Sequence, residues 1–176
     1  IRSYNKDTYV ILEHFALNSE ETQLITHRAT DNASESGMMV WGNSNYNYNQ
    51  STMGYEDLNF SNVSYQNRDW STPSNVSYME SHDEERLMYK NLELRNGNGA
   101  YDITELNTAL DRLELAGAFY FTIPGPKMIW QFGELGYEFS INYCEDGTIN
   151  NDCRTGPKPI RWDYLNNVSY TNLTLT

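Results

Sequence analysis

Short apolar runs, each followed by a polar stretch that passes into helical spacing, organise this chain. Residues 8–15 (Thr-Tyr-Val-Ile-Leu-Glu-His-Phe) are β-branched and aromatic, as in a strand buried within a parallel sheet, and they carry Glu13 and His14 at their end. Residues 19–29 read as a helix, with Asn18 or Ser19 as N-cap and acids in the first turn. A second strand spans 37–41, and the Asn- and Tyr-rich stretch after it reads as a long loop to about residue 74, with a short helix over 51–58. The third strand, 75–79, runs into Glu80-Ser81-His82-Asp83, followed by a helix over 84–90 and a Gly/Asn turn at 96–99. Leu106, Leu110, Leu113, Ala116, Ala118 and Phe119 recur at helical spacing and make 103–121 a helix, which Pro124-Gly125-Pro126 ends. Residues 127–132 form a fourth strand leading to Gly133-Glu134.

This alternation predicts an α/β fold with a parallel sheet and crossover helices, in which chemistry lies beyond the carboxyl ends of the strands. Those ends carry Glu13, then Asn43 and Asn45, then His82 and Asp83, then Glu134. Carboxylates on different strand ends, one beside a histidine, suit acid/base work on a neutral substrate. Glycoside hydrolysis needs such a set: a protonated acid at the leaving oxygen and a carboxylate facing the cationic transition state. Glu13 follows an apolar strand, where desolvation favours a working acid. Structural alternatives stand beside each reading. Glu13 can cap a helix or pair with a cation, Asp83 can be the N-cap of the next helix, and Glu84 and Glu85 can form a solvated helix face. Glu134 can accept backbone amides beside Gly133. No His/Cys grouping has metal-ligand spacing, and no glycine-rich phosphate loop occurs.

Composition narrows the partners. The formal charge of −12, from 12 Lys+Arg against 24 Asp+Glu, disfavours nucleic acid and anionic membrane surfaces. Neutral polysaccharide remains, and 14 Tyr, 4 Trp and many Asn offer stacking rings and hydroxyl-binding amides. Trp41, Asn43, Asn45 and Tyr46 are the sugar-binding candidates. No apolar run reaches the roughly 18 residues of a membrane span. Cys144 and Cys153 flank a Gly/Asn/Asp-rich loop that a local disulfide would pin, two unpaired thiols being the alternative. The chain opens on Ile-Arg-Ser without an initiator Met, as a segment of something longer or a processed protein would.

Three of these stretches, in order, resemble the α-amylase family, glycoside hydrolase family 13. Val10-Ile11-Leu12-Glu13 resembles its fifth-strand motif, Tyr78-Met79-Glu80-Ser81-His82-Asp83 its seventh, and the run from Ile123 to Glu134 its eighth. The resemblance implies the C-terminal half, strands five to eight, of a (β/α)8 TIM barrel over residues 1–140, with a C-terminal loop and tail over 141–176. A whole barrel typically takes about 250 residues. It further implies that Glu13 is the general acid/base, that Asp83 stabilises the transition state, that His82 binds the same sugar, and that Glu134 supports them. The family's nucleophilic Asp would lie upstream, as would its calcium site, so no cofactor is expected within this chain. The implied activity is retaining hydrolysis of α-1,4-glucan such as starch. Transglycosylation or branching by the same carboxylates and non-catalytic glycan binding are the rival readings. A half barrel leaves sheet edges open, so its missing N-terminal half or a second copy is an expected partner, which light scattering would test. Large glucans cannot enter cells, so the expected location is periplasmic or secreted, in a bacterium.

Overall fold

The computed structural model describes residues 4–5, 7–27, 37–94 and 100–166. In chain order these form β1 (Ile11–Leu12), α1 (Asn18–Thr26), β2 (Met39–Asn43), α2 (Asn45–Thr52), β3 (Asn75–Tyr78), α3 (Leu87–Glu93), α4 (Leu106–Thr122) and β4 (Lys127–Met128). The four strands make one sheet in the order β1-β2-β3-β4, and every neighbouring pair is parallel. The architecture is therefore α/β, as the alternation predicts. The chain divides into two compact units, Ile1–Asn43 with Asn59–Tyr78 and Ile123–Met128, and Ser44–Leu58 with Met79–Thr122 and Ile129–Thr176.

The first unit holds the whole sheet and α1. All four residues of β3 are buried, including the polar Asn75 and Ser77. The Asn75 side chain lies so close to Gly42 on β2 that a Cβ there would meet its Oδ1 at 2.1 Å, so the strand pair requires glycine at this point. Val40, Ile25 and Trp70 form the core, with Leu12, Leu24 and Tyr65 against them. Complete burial of a side chain such as Val40 contributes about 1.5 kcal/mol or more. Helix α1 starts at Asn18 with Leu17 as N-cap, so neither Asn18 nor Ser19 caps it. Glu21 in the first turn instead reaches back to accept the amide of Ala16, just ahead of the helix, at 3.0 Å, and it also pairs with Arg68. The strand expected over 8–15 pairs only at Ile11 and Leu12, and it is not buried: Ile11 is 48 % exposed. β1 ends the strand order and has β2 as its partner, which leaves its apolar residues with less to pack against. The fourth strand is likewise shorter than the predicted 127–132.

The second unit is helical and loop-built. Helix α2 replaces the helix expected at 51–58 and begins six residues earlier. Its cause is polar: Asn45 and Asn49, one turn apart, are both buried, and Asn49 Nδ2 donates to Asn45 Oδ1 at 2.8 Å. Hydrophobic periodicity does not register such a face. Tyr48 on the same helix packs edge-on to Tyr120 of α4, with ring centroids 6.0 Å apart. Helix α3 begins at Leu87, three residues later than the predicted 84–90, and buries Leu87, Met88 and Asn91. Helix α4 buries the predicted Leu110, Leu113 and Ala116 together with Ala109 and Tyr120, whereas the predicted Ala118 and Phe119 lie on its exposed side. Arg112 of α4 donates from Nε to Thr52 O at 3.0 Å, tying the end of α2 to it. Cys144 and Cys153 form a disulfide, Cα to Cα 5.2 Å, which pins the polar loop between them. The Gly/Asn turn predicted at 96–99 lies outside the described residues. Among the described residues no helix is long and apolar enough to cross a membrane.

Candidate active site

The segment that follows β3, residues 79–87, is a loop clasped from several sides. Its two ends meet through Glu80, whose Oε1 accepts the Leu87 amide at 2.7 Å and so satisfies a first-turn N–H of α3. Glu80 is buried, and Arg86, also buried, has Nη1 3.9 Å from Glu80 Oε2 and 3.4 Å from the Ser81 carbonyl, to which it donates. Aromatic faces of Tyr137 and Trp130 lie 5.4 and 5.8 Å from the Arg86 guanidinium. Glycine at 133 belongs to the same arrangement, since a Cβ there would sit 2.6 Å from Glu80 Oε2. Asn45 donates from Nδ2 to the Met79 and Glu85 carbonyls at 2.8 and 2.9 Å. The Glu85 carboxylate accepts the Ser140 hydroxyl at 2.7 Å and the Ile141 amide at 2.8 Å.

Burial pushes the Glu80 carboxyl above its ordinary value. The Arg86 charge and the Leu87 amide oppose that rise, while the neighbouring Glu85 and Glu134 add to it. Burial likewise pulls Arg86 below its ordinary value, against the attraction of Glu80. The guanidinium nonetheless stays charged. Glu84 and Glu85 are not the solvated helix face expected of them. Both precede α3, Ser81 Oγ donates to Glu84, and Glu85 is tied to residues 140 and 141. Nor is Asp83 the N-cap of α3, a position held by Arg86.

His82 and Asp83 stand at the exposed crest of this loop, with side chains 46 % and 56 % exposed. The Asp83 amide donates to Ser81 Oγ at 3.1 Å, which sets the turn. Its carboxylate is flanked on both oxygens: His82 Nε2 lies 3.4 Å from Oδ2, and Arg154 Nη2 lies 3.5 Å from Oδ1. The same Arg154 nitrogen donates to the Asp83 carbonyl. The His82 ring lies 6.0 Å from that of Trp130. Glu134, in the short 3-10 turn Gly133–Leu135, is exposed, and its charge reaches Glu80.

The first unit carries the remaining strand-end residues. Glu13 follows Leu12 of β1 and is exposed, so the desolvated setting expected behind an apolar strand does not surround it. Trp41 on β2 is half-buried and edge-on to Tyr78 of β3, centroids 5.3 Å apart. Asn43 is exposed and ends β2 level with Tyr78, which is itself level with Met128 of β4. In the second unit Tyr46 is 70 % exposed, whereas Asn45 beside it is buried and engaged with the loop carbonyls.

Sequence reasoning singled out His82 and Asp83 but missed Glu80, Arg86, Glu85 and Arg154, which hold them. The one local signal was the position of Arg154, directly after Cys153 in a loop that a disulfide would fix. Chemically, the crest offers an exposed carboxylate that can accept hydroxyl hydrogen bonds or face a developing positive charge. It also offers an imidazole that can donate or accept. No protein-family model matches the chain, and no curated protein is significantly similar to it.

Proposed function

We propose that this chain carries part of the active site of a retaining α-glucan hydrolase of the α-amylase type, built on the strand-five-to-eight half of a (β/α)8 barrel. The observation that carries the reading is the exposed His82–Asp83 pair at the carboxyl end of a buried parallel strand, on a loop clasped by groups other than its own imidazole. Four parallel strands in simple chain order are what such a half barrel requires. In this reading Asp83 accepts hydrogen bonds from the hydroxyls of the reacting sugar and stabilises the oxocarbenium-like transition state, with His82 binding the same ring. Glu13 protonates the glycosidic oxygen and later activates water, and its exposure leaves it reachable by a polymer chain. The nucleophile, and any calcium, would come from sequence ahead of β1. The disulfide, together with a polymeric substrate, supports a periplasmic or secreted location.

Reducing-end release from maltoheptaose by the full-length protein tests this. Glu13→Gln is expected to lower turnover by about 10²–10⁴-fold, the contribution typical of a positioned acid/base. Turnover equal to the wild type would remove Glu13 from the mechanism.

A further inference from the structure

Arg154 has no part in the motifs that point to glycoside hydrolysis, yet it is the cation that meets Asp83. It touches that residue twice, once at the backbone carbonyl and once at Oδ1, 3.5 Å away. Both contacts come from one nitrogen, Nη2, which thereby restrains the turn and the direction of the side chain together. Arg154 is half exposed, so its position depends on the backbone that presents it. That backbone is closed on both sides. Cys153, the residue before it, is bonded to the buried Cys144, and the Cys144 amide donates to the Thr148 carbonyl at 2.8 Å within the loop. On the other side Lys158 Nζ donates to the Cys153 and Gly156 carbonyls at 2.7 and 2.9 Å, closing the turn that contains Arg154.

We propose that Arg154 is a positioning residue for Asp83, and that the Cys144–Cys153 disulfide loop delivers it to the crest. The assignment rests on the hydrolase reading for its catalytic consequence, but not for its structural one. Arg154 fixes one carboxylate oxygen while His82 approaches the other, so Asp83 is aimed before any sugar arrives. Its loss acts on the chemical step, where misdirection of a carboxylate by about 1 Å is enough to cost up to about 100-fold.

Two arms test this in the full-length protein. In the first, maltoheptaose hydrolysis is measured for the wild type, Arg154→Gln, Arg154→Lys, Cys144→Ser/Cys153→Ser and the triple variant. Arg154→Gln is expected to lower kcat about 10-fold with KM changed less than about two-fold, and Arg154→Lys to recover part of the loss. The disulfide variant should match Arg154→Gln, and the triple variant should be no worse than either. Unchanged kcat in Arg154→Gln, or losses that multiply in the triple variant, would overturn the proposal. The second arm is hydrogen exchange at the Asp83 and Glu84 amides, which needs no activity. Faster exchange in both Arg154→Gln and the disulfide variant supports the positioning role; wild-type exchange in both refutes it. If the wild type hydrolyses no glucan, the hydrolase reading fails, and the exchange arm alone decides the role of Arg154. If the disulfide variant does not fold, Arg154→Gln and Arg154→Lys decide it.

Discussion

At the scale of single residues, one close tolerance lies between Gly133 and Glu80. A methyl group at 133 has no room unless the buried carboxylate moves, and moving it disturbs both the Leu87 amide and the approach of Arg86. Gly133→Ala is therefore expected to destabilise the protein by about 1–3 kcal/mol, the usual range for overpacking a filled interior. Urea unfolding measures this, and wild-type stability would mean that Glu80 has space to relax. The sequence shows Gly133 beside Glu134 and invites attention to the charged residue, whereas the restrictive contact belongs to the glycine and an acid 53 positions earlier. Glu80 and Arg86 escaped notice for a related reason. A Glu and an Arg in a polar stretch look solvated, and only tertiary packing reveals that both are buried.

Among elements, helix boundaries record what periodicity can and cannot detect. The stripe of α4 is apolar, so its position was readable to within three residues at the start. The face of α2 that packs joins Tyr48 to the polar Asn45, Asn49 and Thr52, which count as surface in any hydrophobic pattern, and the predicted helix fell too late in the chain. Asn45 is the part of α2 that matters most to the site, since it holds the Met79 and Glu85 carbonyls at the two sides of the loop crest. Asn45→Ala should cost about 1–3 kcal/mol through those carbonyls losing a donor. It should also accelerate proteolysis within 79–86. Cleavage at the wild-type rate, with stability intact, would show that water replaces the amide.

For the molecule as a whole, the order of parallel strands was legible because apolar runs and helical stretches alternate along the chain, and chain order is also sheet order. Strand length was not legible. Pairing ended after two residues in β1 and in β4, where apolar composition predicted longer runs. Global stability also carries a pH signature. Because burial raises Glu80 above its ordinary value of 4.5, its ionised form is less favoured in the folded chain than in the unfolded one. Its contribution is therefore fully present below that ordinary value and is lost as pH rises through the higher, folded-state value. Relative to Glu80→Gln, which cannot ionise, the wild type should lose unfolding free energy over that interval. A difference that stays constant with pH would show that Arg86 compensates the buried charge completely. Asp163 works in the opposite sense, because its bond to Arg161 lowers it and its contribution fades as pH falls.

The clasp around residues 79–87 also bears on how such a protein can change over generations. The groups that close the loop are Glu80, Glu85, Asn45 and Arg86, and the crest they support presents His82 and Asp83 outward. The residues that fold the loop and those it presents are thus different letters of the same short word. Mutation can exchange the crest pair while the scaffold that shapes the turn is inherited unaltered.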